Sequence, residues 1–219
     1  MGWFTKTFTS SIGKKFIMAL TGISLILFLL MHLAGNLSLY GGENAFNSYA
    51  GALESLKPIV RVVEVILAAI FLFHIIYGTR LWIENKIAKP IKYKINASSE
   101  NSSLYSRFMF QTGIIIFIFL VLHLVTFWAP YNFGGEEHNL YLLVTSWFRE
   151  TWYSIFYIIS MILIGFHLNH AFQSAFQTFG WNHNKYTPFI KKFGTFYAIV
   201  IAAGFASIPI YFLFFFGGK

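Results

Sequence analysis

Cysteine is absent from the 219-residue sequence. Its absence excludes disulfides, thiolate zinc sites and cysteine-ligated iron–sulfur clusters, and it excludes covalent c-type haem attachment through Cys-x-x-Cys-His. Histidine is therefore the side chain that we expect to hold any bound metal.

Charged residues are also scarce. They make up 11% of the chain against 57% hydrophobic residues, and the mean hydropathy is +0.62. That is too little polar surface to coat a soluble globule, so we predict a protein of the lipid bilayer. The net charge of +8 lies in the connections between apolar runs. Because these charges form no continuous basic groove, we expect no nucleic-acid partner.

Five apolar runs are long enough to cross a bilayer, which takes about 20 residues. They predict an all-α fold, an integral membrane bundle of five transmembrane helices in up-and-down order. No composition shift marks a second domain, so residues 1–219 are expected to form a single membrane domain. The predicted spans are residues 16–39, 59–84, 108–129, 151–178 and 194–216.

The basic residues predict the orientation of the bundle. Twelve of the sixteen Lys and Arg residues lie before the first span or in the second and fourth connections. Basic connections stay in the cytoplasm, so the N-terminus is expected to be cytoplasmic. His138 in the third connection and His183 in the fourth are expected to be ordinary solvated residues.

Each of the first four spans contains a histidine, namely His32, His74, His123 and His167. An ionisable side chain inside a membrane costs about 2 kcal/mol or more unless it is satisfied, so such residues indicate function. At about 1.5 Å of rise per residue, His32 and His123 lie about 24 and 22 Å from the cytoplasmic ends of their spans. His74 and His167 lie about 15 and 16 Å deep by the same rise.

These depths favour two bis-histidine centres. A single tetrahedral site would need four ring nitrogens at about 2 Å from one ion, whereas the two layers are about 7 Å apart. Paired imidazoles across a helix bundle suit b-type haem, a flat apolar group with two axial ligands. Ala34, Gly35, Gly78 and Gly165 would leave space for it, although small residues are also common at ordinary contacts between membrane helices.

Three further residues carry open alternatives. His170 lies three residues after His167 on a neighbouring position of the same helix, so either ring could point inward. Arg80 and Arg149 could bind haem propionates. Extension of both arginines to the membrane interface is the slightly preferred interpretation.

The segments around the histidines resemble a known family. They read LLMHLAGNLSLYGGENAFNSYA, FLFHIIYGTRLW, LVLHLVTFWAP and GFHLNHAFQSAFQTFGWNHNKYTP, the last with Gly180 thirteen residues after His167. They are similar to the dihaem cytochrome b membrane-anchor subunit of succinate:quinone oxidoreductase (succinate dehydrogenase/fumarate reductase). HLAGN, HLNHAFQSAFQT and NKYTPFIKK resemble its branch in Bacteroidetes-like bacteria.

The resemblance implies two b haems, an outer one held by His32 and His123 and an inner one held by His74 and His167. It implies a multi-pass protein of the bacterial cytoplasmic (inner) membrane that passes electrons between an iron–sulfur subunit and a membrane quinone, expected to be menaquinone. A flavoprotein subunit of the same tricarboxylic acid cycle complex would carry the succinate and fumarate chemistry. The chain itself would bind no dicarboxylate and hold no catalytic residue.

A quinone reaction also moves protons, so an ionisable group is expected near the outer haem. Glu54 follows His32 by 22 residues, a spacing similar to that of a glutamate implicated in quinol oxidation in one branch of the family. Glu43 and Lys57 are nearby alternatives.

Two other functions remain open. A dihaem cytochrome b of another dehydrogenase, such as a hydrogenase or formate dehydrogenase, would share the paired histidines. A haem-free transporter could use them as a proton relay, but broken helices or carboxylates at the midplane would then be expected. Glu64 is instead predicted near the outer end of the second span, and Pro209 is the only proline deep within a span.

Overall fold

A computed structural model describes residue 2 and residues 10–88, 104–134 and 139–216 of the chain. These residues are almost entirely helical and contain no β-strand. Five of their helices are long and apolar enough to cross a membrane. The predicted all-α fold with five candidate spans is therefore confirmed.

The five spans are separated by shorter helical segments. In chain order, the spans are α1 (Ser11–Asn36), α3 (Lys57–Ile87), the continuous helical segment Met109–Phe133 that begins with α5 (Met109–His123), α8 (Thr151–Thr178) and α9 (Thr187–Phe214). The shorter helices are α2 (Gly42–Ser55), α4 (Leu104–Arg107), α6 (Ala129–Phe133) and α7 (Leu140–Arg149). A 3₁₀ turn, Leu37–Gly41, joins α1 to α2, and a π-helical turn, Leu124–Trp128, joins α5 to α6.

The observed ends of the spans follow from local capping chemistry. The first span begins before residue 16 because the Ser10 side chain accepts a hydrogen bond from the Gly13 amide, which satisfies a free N–H of the first turn. The fifth span begins before residue 194 because Pro188 lies in its first turn, where a missing N–H costs nothing. The fourth span ends before Gly180, whose φ of +80° suits glycine.

Two connections contain helices that the search for spans did not predict. With 14 and 10 residues, helices α2 and α7 are too short to cross a membrane, and they pack against each other where α1 ends. Phe46 and Tyr141 form the buried contact, and Asn47 donates from Nδ2 to Oδ1 of Asn139, 2.9 Å away. We call this side of the bundle the capped end.

Successive spans run in opposite directions. Lys14, near the start of the first span, forms an ion pair with Glu84 near the end of the second. Further along, the rings of Phe28 and Phe71 lie 6.4 Å apart. The fourth span is the centre of the bundle, since it packs against the first, third and fifth, whereas none of the residues of the second span is buried.

Candidate functional site

The four predicted histidines lie in the bundle as two pairs. The ring centroids of His32 and His123 are 5.8 Å apart, and those of His74 and His167 are 6.4 Å apart. Two imidazoles that bind one metal ion from opposite sides would have centroids about 6 Å apart, because metal–nitrogen bonds are about 2 Å long and each centroid lies about 1 Å behind its nitrogen. Both centroid separations agree with the distance that one shared metal ion would require.

The contacts match the pairing expected from depth. Each pair joins two non-consecutive spans, the first with the third and the second with the fourth. The ring partner of His74 is His167 and not His170. Within the described ranges, no group of three or more His, Cys, Asp or Glu side chains is arranged to hold a metal. Each pair is therefore a two-ligand arrangement, which suits a group that supplies its own equatorial donors.

A threonine hydroxyl contacts each histidine of the second pair. Thr21 Oγ1 lies 3.3 Å from Nδ1 of His74, and Thr112 Oγ1 lies 3.3 Å from Nδ1 of His167. Histidines that bind metals usually donate their other ring N–H to an oxygen, which fixes the tautomer and the orientation of the ring. Nε2 is then the nitrogen left for a metal.

The first pair has different polar partners. Nδ1 of His123 lies 2.6 Å from the hydroxyl of the buried Tyr157. Nδ1 of His32 lies 3.4 Å from Nδ2 of Asn36, and that amide also donates to the His32 carbonyl at 2.8 Å. The ring of Phe28 stacks on His32 with centroids 5.1 Å apart. Nε2 is therefore the remaining nitrogen of His123, whereas the Asn36 amide faces Nδ1 of His32 with a donor group and does not select Nε2 as the metal-binding nitrogen.

Two glycines that were not predicted from the sequence face the second pair. A Cβ on Gly22 would lie 3.6 Å from Cε1 of His74, and one on Gly113 would lie 3.6 Å from Cε1 of His167. A longer side chain at either position would enter the space beside the rings. The available signal was the Thr-Gly-Ile sequence shared by the first and third spans.

The small residues singled out for haem clearance serve other contacts. Three of these residues are glycines, and a Cβ on any of them would contact another side chain of the protein. The contact would be with Tyr49 for Gly35, with Met18 for Gly78 and with Ala202 for Gly165. Ala34 is exposed. Their small size therefore permits close packing between helices rather than space beside the histidines.

Glu54 lies at the capped end in a polar cluster. Its carboxylate forms an ion pair with Lys57 and accepts a hydrogen bond from the Tyr131 hydroxyl at 2.9 Å. All three residues line a cavity of about 150 Å³, together with Arg61 and Glu64. Glu43 is not among the lining residues of this cavity and contacts the Asn139 amide.

The two arginines considered for propionates have partners within the protein. Arg80 donates from Nε to Glu84, 3.0 Å away, and Glu84 also binds the buried Lys14. The guanidinium of Arg149 lies over the ring of Phe216, 5.5 Å from its centroid.

The two histidines of the connections lie apart from the pairs. His183 is exposed and accepts a hydrogen bond from the Lys185 amide. His138 lies outside the described residues.

Comparison with known families gives one match. The sequence model described as succinate dehydrogenase/fumarate reductase transmembrane subunit matches residues 15–99, under half of the 219 residues. The resemblance to that family is confirmed over those residues. The match supports a membrane subunit of succinate dehydrogenase or fumarate reductase. No curated protein and no solved structure matches the chain.

The matched part covers the first two spans and one member of each histidine pair. His32, His74 and Glu54 fall within residues 15–99, whereas His123 and His167 follow them. The family match and the ring geometry are separate observations, and both include His32 and His74.

Proposed function

We propose that this chain is the cytochrome b membrane anchor of a succinate dehydrogenase or fumarate reductase and that it holds two b haems. The observation that carries the proposal is the presence of two histidine pairs, 5.8 and 6.4 Å between centroids, in a chain whose first two spans match the family. The hydroxyl oxygens at Nδ1 of His74, His123 and His167 and the glycines beside the second pair support it.

In this proposal His32 and His123 hold one haem and His74 and His167 hold the other. Haem iron supplies one-electron transfer, which lets electrons cross the bundle one at a time. The chain would contribute the imidazoles that hold each haem, the hydrogen bonds that orient these rings and an apolar environment that excludes water. Tyr157, Thr21 and Thr112 would orient the histidine rings and would take no direct part in electron transfer.

The family resemblance also suggests where the chain meets its partners. We place the N-terminus in the cytoplasm of a bacterium and the capped end on the outer side of the inner membrane, with residues 1–219 forming one membrane domain. The flavoprotein and iron–sulfur subunits would dock at the end opposite the capped end. Electrons would then pass between the iron–sulfur subunit and the pair formed by His74 and His167.

A quinone, by our proposal menaquinone, would react near the capped end. Glu54 is the group that we assign to proton exchange, because it lines a cavity that also contains apolar side chains such as Phe46 and Leu53. Lys57 and Tyr131, its two hydrogen-bond partners, would fix the carboxylate within that cavity.

A reduced-minus-oxidised spectrum of the purified complex, with haem quantification, tests the proposal. We expect two b haems per chain. Replacing His32, His74, His123 or His167 by alanine, one at a time, should abolish the absorbance bands of one haem, whereas His183→Ala should leave both unchanged. A chain that purifies folded without haem would overturn the proposal and favour a transporter.

The identity of the partner enzyme is tested separately. A succinate-oxidising or fumarate-reducing flavoprotein should co-purify with the chain through its iron–sulfur subunit. Co-purification of a hydrogenase or formate dehydrogenase would retain the haems but reject the assignment to this family of complexes.

A further inference from the structure

The first and third spans repeat a 13-residue pattern. Residues 21–33 read TGISLILFLLMHL and residues 112–124 read TGIIIFIFLVLHL, so both fit T-G-I-x8-H-L. Seven of the thirteen positions are identical, namely Thr, Gly, Ile, Phe, Leu, His and Leu. The identical positions include a histidine of the first pair and a Thr-Gly step eleven residues before it.

The repeated residues make the same contacts in both halves of the chain. In each half, the threonine hydroxyl lies 3.3 Å from Nδ1 of the histidine on the following span. In each half, a Cβ on the adjacent glycine would lie 3.6 Å from Cε1 of that histidine. The first and third spans thus make matching contacts with the histidine of the span that follows each of them.

The hydroxyl hydrogens determine the direction of these contacts. Thr21 donates to the carbonyls of the preceding turn, 2.8 Å from Ile17 and 3.1 Å from Met18. Thr112 donates to the Met109 carbonyl at 3.0 Å. A hydroxyl has one hydrogen, so once that hydrogen is used the oxygen can only accept from the ring. While each hydroxyl hydrogen remains on its backbone carbonyl, Nδ1 of His74 and Nδ1 of His167 carry the ring hydrogens, and Nε2 of each ring keeps its lone pair.

We propose that Thr21 and Thr112 are a matched pair of positioning residues, each of which holds one histidine of the second pair as the Nδ1–H tautomer with Nε2 directed at the shared metal. This inference rests on the proposed function, because it assumes that a metal lies between the two rings. Loss of the acceptor would make Nε2 a weaker base and free the ring to rotate.

Because the two threonines occupy equivalent positions of the repeat, variants of either one should have the same effect. Both threonines act on the same haem from opposite sides, so Thr21→Val and Thr112→Val should change one haem in the same direction. A weaker axial base stabilises the ferric iron less, so its midpoint potential should rise. The haem between His32 and His123 should keep its potential, and the double variant should shift further than either single variant.

The experiment uses the complete complex and three readouts that do not depend on turnover. These are haem content, optical redox titration of each haem and the low-spin electron paramagnetic resonance spectrum. Valine matches the shape of threonine but lacks the hydroxyl. Thr21→Ser and Thr112→Ser keep the hydroxyl and should restore the wild-type potential and spectrum. Ser24→Ala removes a hydroxyl that donates to the Leu20 carbonyl on the same helix, and it should change neither haem.

The size of the expected effect can be stated for the retention of haem by each variant. Loss of a hydrogen bond behind a metal ligand costs about 10-fold to 100-fold in affinity, so we expect each valine variant to lose that haem about tenfold more readily to a haem-binding acceptor protein. Valine variants that titrate and retain haem like the wild type would overturn the proposal, as would a shift of the other haem instead. Failure of the proposed function gives a different result, because the wild-type chain would then hold no haem.

Discussion

At the scale of single residues, the two histidine pairs differ in the groups behind them. The second pair has two aliphatic hydroxyls at equal distance, whereas the first has the phenol of Tyr157 on one ring and the amide of Asn36 on the other. The short 2.6 Å contact to Tyr157 makes His123 the most strongly held ring of the four. Two iron centres with the same axial ligands would therefore have different potentials.

Tyr157→Phe tests the group behind His123. The change removes the hydroxyl from Nδ1 and should raise the midpoint potential of the haem between His32 and His123, at a cost of about 1 kcal/mol of stability. Redox titration followed by visible absorbance measures the shift. Tyr197→Phe is the matched control, since the Tyr197 hydroxyl donates to the Ile26 carbonyl rather than to a histidine ring. An equal shift in both variants would argue against a specific role for Tyr157.

Glu54→Gln tests the proton-exchange residue at the capped end. If the carboxylate accepts or delivers protons, quinone-coupled turnover should fall by about 100-fold or more. Succinate oxidation with a water-soluble dye as acceptor should not change, because that assay bypasses the quinone. Glu43→Gln, which changes a carboxylate in the same helix, should retain turnover. Unchanged quinone turnover in Glu54→Gln would exclude Glu54 from the reaction.

At the scale of helices, the fourth span determines how the bundle packs. Gly165 allows this span to approach the fifth closely, since a Cβ there would lie 2.9 Å from Cβ of Ala202. The histidine on the same helix lies two residues later and faces the second span instead. One helix therefore places a small residue on one face for packing and a histidine of the second pair on another.

Gly165→Ala should destabilise the bundle without changing the haem sites. The added methyl group meets Ala202 and should cost about 1–3 kcal/mol as overpacking, which thermal denaturation in detergent would measure. Gly51→Ala is the control, because a Cβ at Gly51 meets nothing within 4 Å. Loss of a haem band in Gly165→Ala, with stability unchanged, would instead support a role of Gly165 in haem clearance.

Span positions and histidine pairs could be predicted from the sequence because both depend on strong periodic signals. The fourth span has the predicted bounds, and the helical rise alone places His32 with His123 and His74 with His167. Neither α2 nor α7 was predicted, because an amphipathic helix in a connection lacks the apolar length of a span. The contacts of Gly35 and Gly78 depend on which helix faces them, and sequence position does not determine that.

At the scale of the whole molecule, the spans place the capped end and the fourth connection on opposite sides of the membrane. The predicted orientation puts the fourth connection in the cytoplasm. The absence of cysteine makes this assignment accessible to single-cysteine labelling in cells.

Gly51→Cys and Asn184→Cys test the orientation, since both positions are exposed. A membrane-impermeant maleimide added to intact cells should label the cysteine at position 51 and not the one at position 184. Inverted membrane vesicles should give the reverse pattern. Labelling of position 184 alone in intact cells would place the N-terminus outside and reverse the proposed path of the electrons.

The absence of any buried residue from the second span affects one histidine pair more than the other. His74 is carried by this span, so we expect surrounding lipid tails to form part of the wall beside it, whereas His32 and His123 lie between the first and third spans. Delipidation should therefore disturb the geometry of His74 and His167 first. Detergent choice during purification should therefore matter more for His74 and His167 than for the other pair.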